Sequence, residues 1–294
     1  MTAPTVAVSQ PESGTALLRT AVVHAPDGTP RLRRFPGPRA PREFVPVDPV
    51  LAERLAEVRT TEGARLALSE TTGRVRVYPA NGVESVARRL LVDGPVGEMV
   101  RPVRALGQLL RELHRIEPPA ALVGEIPAGA ARLDRWLAGR SADPHAAYAA
   151  DVVRRRLGPE RWAGIRDRFD RLLAESEVVL AHGAPGLGSM IAGTAGADVL
   201  LTGEDLCVAS WQFDLGWVVG ELVELRWQVG GDPQGWQALL NALFEGYGRD
   251  LGDEWASLAA LRILLHVHDI AAYADWYRAG FDHYASFLSF LLNL

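Results

Sequence analysis

The chain of 294 residues contains no lysine, so all 31 of its Lys+Arg residues are arginine. That excludes a Schiff-base lysine, a lysine general base and a P-loop lysine on phosphates. Cys207 is the single cysteine, which rules out an internal disulfide and any multi-cysteine metal site. No window approaches the roughly 20 apolar residues of a membrane helix. The opening MTAPTVAVSQPESG lacks the basic and apolar regions of a secretory signal. The expectation is a cytoplasmic protein with no membrane contact. A net charge of -5 argues against a broad nucleic-acid surface, and no nucleic-acid partner is expected.

What is present suits a folded protein with a sizeable core, since 48% of residues are hydrophobic. Residues 1-14 are polar and expected to be disordered. From Thr15 to Phe35 two β-prone runs flank Pro-Asp-Gly, a turn signature. A proline-rich connector and a short amphipathic helix at about 48-60 follow. ARLALSE and GRVRVYP, joined through Thr-Thr-Gly, read as a small antiparallel sheet with Arg74 and Arg76 on one face and Val75 and Val77 on the other. After Gly94 the spacing becomes helical, with VRPVRALGQLLRELHRIEPP closed by a double proline. Further helices are expected at 129-139, 144-156, 159-176, 214-229, 233-250 and 253-292. VVLAHG, ADVLLTG and LCVASWQF interrupt them as short apolar runs bounded by glycines, which read as β structure. The expected class is α+β, with a small β-rich lobe at 15-94 and a helical lobe at 95-294 carrying a β insertion at 178-213.

Several polar residues have plain structural readings. Asp198 and the pair Glu204-Asp205 are expected in surface turns. Asp214 is placed to cap the helix that begins at Leu215, and among the acids it is also the best candidate to recruit a metal. His266 and His268, two apart on a helix, point to different sides; His268 can pair locally with Asp269. Trp211, Trp217, Trp227, Trp236, Trp255 and Trp276 read as core or half-buried anchors. Cys207 reads as a buried small hydrophobe. The arginines of 31-42, RLRRFPGPRAPR, read as a solvated linker, with an acidic docking partner as the competing reading. The apolar FLSFLLNL at the C-terminus reads as a terminal helix on its own core, with an oligomer contact as the alternative.

Three segments in order carry a resemblance: ALGQLLRELHRIEPP, VVLAHGAPGLGSM and LCVASWQFDLGWVVGELVEL. Together they resemble the aminoglycoside phosphotransferase and choline kinase family, over about 75-294. The second resembles the catalytic loop H-G-D-x-H-x-x-N, and the third I-D-W-E followed by G-D-P-x-x-D-L. The resemblance implies a bilobal protein-kinase-like fold. It also implies that the aspartate accepting the substrate's proton is replaced by Ala184 and the metal-holding asparagine by Ser189. The metal-binding aspartate falls at Ser210, followed by Trp211 and Gln212, and the phosphate-gripping lysine at Arg76. His182 and Gly183 are retained, and Glu221 takes the place of a later structural aspartate.

Magnesium needs hard oxygen ligands, and phosphoryl transfer rests on positioning and charge stabilisation. Serine hydroxyls and an alanine methyl supply neither. The resemblance therefore implies a degenerate member, a pseudokinase that binds a protein or peptide partner, with homo- or hetero-oligomers open. Its vestigial pocket would hold Arg76, His182, Ser189, Ser210, Trp211, Gln212 and Asp214. No metal and no cofactor are expected, and any nucleotide binding is expected to be weak and metal-independent. The competing reading is an active hydroxyl phosphotransferase with relocated acids, Asp214 first among them.

Overall fold

A computed structural model describes residues 13-41, 44-72, 74-193, 197-274 and 280-294. Residues 1-12 of the expected disordered segment and Trp276 lie outside the described residues. The chain divides into two compact units. The first comprises Met1–Leu113, Gly186–Glu204 and Gly231–Gly248; the second comprises His114–Pro185, Asp205–Gly230 and Arg249–Leu294.

The first unit is built on a five-stranded sheet of order β1-β2-β3-β6-β5. Its strands are β1 (Ser13–Gly14), β2 (Leu18–His24), β3 (Pro30–Pro36), β5 (Glu70–Thr72) and β6 (Val75–Pro79). Pro-Asp-Gly does turn the chain between β2 and β3. Asp27 Oδ1 accepts from the Thr29 N–H at 2.9 Å, and Gly28 takes φ +83°. The arginine-rich run is therefore strand rather than linker through Pro36, because β3 is paired on both sides, with β2 and β6.

In β6 the face carrying Arg76 and Tyr78 is the buried one, and Val75 and Val77 are half-buried. The end of the ARLALSE run does pair antiparallel with GRVRVYP as expected, Glu70 of β5 opposite Val77 of β6, whereas Arg65–Leu68 does not. It forms β4, parallel to β9 (Val199–Thr202), which also pairs antiparallel with β8 (Met190–Ile191). Burial favours this arrangement: Leu66, Ala67 and all four residues of β9 are inaccessible. Leu32, Ala67, Tyr78, Ile191, Val199 and Leu201 belong to one core cluster under the sheets. Helix α1 (Pro49–Ala56) is capped by Asp48, and α2 (Val86–Asp93) by Ser85. The long α3 (Val100–His114) and α8 (Pro233–Tyr247) complete the unit.

The second unit is mainly helical. It contains α4 (Ala128–Leu137), α5 (Pro144–Leu157), α6 (Pro159–Leu173), α7 (Trp211–Val229), α9 (Trp255–Tyr273) and α10 (Gly280–Leu291). Proline opens α5 and α6, where its missing N–H costs nothing. Strands β7 (Val178–Ala181) and β10 (Cys207–Ser210) pair antiparallel, Ala181 opposite Cys207 and Val178 opposite Ser210. Cys207 is buried, at 2% exposure, as its apolar strand requires. Trp211, Trp217 and Trp236 are buried, while Trp227 stays more than a third exposed and stacks on Phe287. α7 is apolar on nearly every side because it is buried along most of its length.

Glu224 of α7 is buried at the heart of this unit. Tyr284 donates to it at 2.6 Å, His266 contacts it, and Arg262 lies 3.6 Å away. Burial raises the Glu224 carboxyl, but His266, Arg262 and Tyr284 outweigh it and hold the group below its ordinary value of 4.5. A carboxyl depressed on folding adds stability that is complete above its unfolded value and lost as pH falls through its folded value. Stability should accordingly fall as pH drops below about 4.5, and Glu224→Gln should flatten that acid limb in denaturant titrations repeated at several pH values.

Candidate functional site

At the end of β7 the backbone turns through His182 and Gly183, both buried. Their N–H groups have left the strand ladder and must find acceptors, since a buried unpaired N–H is costly. Asp214 supplies both: His182 N–H donates to Oδ2 at 2.6 Å and Gly183 N–H to Oδ1 at 3.0 Å. His114 Nε2 lies 2.9 Å from the same carboxylate, whose exposure is 0%. Gly183 has φ +82°, and a Cβ there would sit 1.9 Å from the Asp205 carbonyl oxygen. Ala184, the next residue, offers only a methyl group.

Asp214 thus acts as the brace of the loop. It does not cap α7, which starts three residues earlier than Asp214, at Trp211, with Ser210 as its N-cap. Ser210 Oγ accepts from the Gln212 N–H at 3.3 Å. Being opposite Val178, Ser210 stands at the end of β7 away from His182. Trp211 and Gln212 begin the helix at that same end. The Trp211 indole donates to Glu177 at 3.1 Å and carries the Arg249 guanidinium over its ring at 3.8 Å. Ser210, Trp211 and Gln212 therefore do not join the loop residues. The strand end beside Ser189 is that of β9, at Thr202, since the Leu201 N–H donates to the Ser189 carbonyl at 2.9 Å.

A second cluster forms in the first unit, around Arg76. Arg34 of β3 stands opposite Arg76 of β6, and both are buried, at 7% and 0% exposure. Arg34 reaches Ser189 Oγ at 3.4 Å, the Gly188 carbonyl at 3.3 Å and Glu204 Oε1 at 3.3 Å. Tyr78 donates to Glu204 Oε1 at 2.7 Å. Burial, then the Glu204 charge, push the Tyr78 hydroxyl well above its ordinary range, so it stays a donor. Arg76 Nη2 donates to the Val45 carbonyl, and the guanidinium lies 4.9 Å from the Phe44 ring centre.

Two acids expected in surface turns have structural partners. Asp198 is fully buried, pairs with Arg101 and accepts from the Gly193 N–H at 2.8 Å. Glu204 serves Tyr78 and Arg34. His266 and His268 do part, to Glu224 and to Asp269 at 2.8 Å.

The donor chemistry distinguishes two groups that the fold could hold. Among the described residues, no three His, Cys, Asp or Glu side chains converge as a metal cage. The Glu204 carboxylate beside the two arginines is engaged by Tyr78 and Arg34. Phosphate oxygens do fit: buried Arg34 Nε and Arg76 Nε and Nη1 have no hydrogen-bond partner among the described residues.

No protein-family model matches the sequence, and no curated relative is similar to it. Solved structures are. A spectinomycin phosphotransferase in complex with ADP and spectinomycin superposes with TM-score 0.54 at 14% identity, over 96% of this chain and 88% of that one. An amicoumacin kinase in complex with AMP-PNP, Ca2+ and Ami gives 0.58 at 12% identity, over 97% and 87%. The Plasmodium vivax ethanolamine kinase gives 0.56 at 12% identity, over 98% and 82%. These complexes overturn the expectation that a protein of this kind needs no cofactor and binds nucleotide only weakly and without metal. The absence of lysine does not exclude a phosphate ligand, because arginine guanidinium groups also pair with phosphate oxygens. No described helix is long and apolar enough to cross a membrane. The chain has the α+β, protein-kinase-like fold of the aminoglycoside phosphotransferase and choline or ethanolamine kinase structures.

Proposed function

We propose that this chain is a nucleotide-binding protein of kinase-like fold whose loop no longer transfers phosphate. In this reading it is a pseudokinase that serves a protein or peptide partner in a cytoplasmic biosynthetic pathway as a binding or regulatory subunit. One observation carries the reading: the turn through His182 and Gly183 is fully braced by Asp214, yet Ala184 follows where the resemblance places the proton-accepting aspartate. A methyl group can neither accept a proton nor orient a hydroxyl. Asp214 is a poor substitute, because both its oxygens are engaged by backbone N–H groups and its burial is complete. The nucleotide half of the reading is supported by the ADP and AMP-PNP held by structures of the same fold.

Calorimetric titration of the full chain with ADP and with AMP-PNP, magnesium present, tests it. Saturable one-to-one binding of both is expected. Absence of heat and of any thermal shift with either nucleotide would remove the nucleotide from this proposal.

A further inference from the structure

In the second unit, the buried Glu224 carboxylate has one partner that also faces solvent. Its Oε1 accepts from the Tyr284 hydroxyl at 2.6 Å and from Gln228 Nε2 at 3.2 Å, and it meets His266 Nδ1. Arg262 Nη1 lies 3.6 Å from the other oxygen. Glu224 is only 3% exposed, whereas the His266 side chain is 36% exposed. Because Nδ1 faces the buried carboxylate, that exposure belongs to the opposite edge of the ring, which carries Nε2. The Tyr284 ring stands edge-on to the imidazole, with centroids 6.4 Å apart, and helps to fix its orientation.

This pairing decides where the imidazole keeps its lone pair. A carboxylate can only accept, so Nδ1 carries a hydrogen in either charge state of the ring. In the neutral ring the lone pair is therefore on Nε2, at the exposed edge. A nucleophilic ring oriented by a carboxylate behind it is the arrangement that activates histidine, because the anion offsets the positive charge the ring gains on attack. His268 shows what the geometry adds. It too turns Nδ1 to an acid, Asp269, at 2.8 Å, yet its side chain is 8% exposed and packs against Trp136 and Tyr273. Of these two histidines, His266 has both the carboxylate and the access. Arg262, one turn earlier on the same face of α9, places positive charge beside the carboxylate and so favours an incoming group with anionic oxygens.

We infer that His266 is a phosphoryl-acceptor site, modified at Nε2 by a small activated donor of the phosphoramidate class. The Nε2 lone pair forms a bond to phosphorus, and the donor's P–N bond breaks, its electron pair leaving with ammonia. The ring keeps its Nδ1 hydrogen and becomes cationic, and Glu224 neutralises that charge. Glu224 lies ten residues beyond Asp214 on α7, about 15 Å along the helix axis. The site is thus separate from the braced loop and does not depend on nucleotide binding.

The test is incubation of the full chain with potassium phosphoramidate at neutral pH, followed by peptide mapping by mass spectrometry under alkaline conditions that preserve phosphohistidine. His145 and His283 are exposed and would react first if access alone set the rate. His266 should instead gain one phosphoryl group about tenfold faster than either, the lower end of what an orienting partner contributes to a histidine. Glu224→Gln should slow the His266 reaction by a similar factor and leave the rates at His145 and His283 unchanged, which also reports that the variant is folded. The mapping of wild type decides the matter even if Glu224→Gln does not fold. His266 reacting no faster than His145 and His283 would overturn the proposal. So would a folded Glu224→Gln protein in which His266 reacts as fast as in wild type.

Discussion

Asp214→Ala should cost about 3–5 kcal/mol of folding stability, the range seen when one partner of a buried charged network is removed. The substitution takes the acceptor from the N–H groups of His182 and Gly183 together and removes the carboxylate beside His114. Each stranded buried donor contributes about 1–3 kcal/mol of that loss. Asp214→Asn should fall between, since one amide oxygen can serve only part of what two carboxylate oxygens accept. Urea unfolding of the three proteins measures the series. A loss below about 1 kcal/mol for the alanine form would be typical of a surface residue and would contradict the bracing role.

Gly183→Ala is expected to be nearly as damaging. Its φ of +82° lies in the region that L side chains rarely adopt, a strain of about 1–3 kcal/mol for other residues. The added methyl would also meet the Asp205 carbonyl oxygen at 1.9 Å, a backbone atom with little room to yield. Overpacking adds about 1–3 kcal/mol more, so a total near 3 kcal/mol or above is expected. Thermal unfolding reads it directly. A variant as stable as wild type would mean that the turn is not held in this geometry.

The loop was legible in sequence because its signals are local. An apolar strand, a His-Gly pair and a run of small residues lie next to one another in VVLAHGAPGLGSM. Asp214 was legible as important and misread as a cap, because its partners lie 31 and 32 residues away. Ser210, an N-cap residue by type, was instead given a metal position. Arg34 was missed for a related reason. Its neighbours in sequence are arginines and prolines, which suggest a solvated linker, whereas its structural partner is Arg76 across the sheet. Cross-strand register is set by non-local pairing and by which face is buried, and neither is written in a short window. The same applies to Asp198 and Glu204, which are turn residues by composition and buried partners by tertiary contact. A signal for the arginine site did exist: Arg76 and Tyr78 alternate with valines, and a chain without lysine must meet any buried cationic need with arginine.

The central claim is that the chain holds a nucleotide and does not turn it over. Phosphorus NMR of the full chain with ATP and magnesium addresses both halves in one sample. Shifted phosphate resonances are expected on binding, with ADP and inorganic phosphate accumulating no faster than in ATP alone. Protein-dependent conversion of ATP to ADP would contradict it.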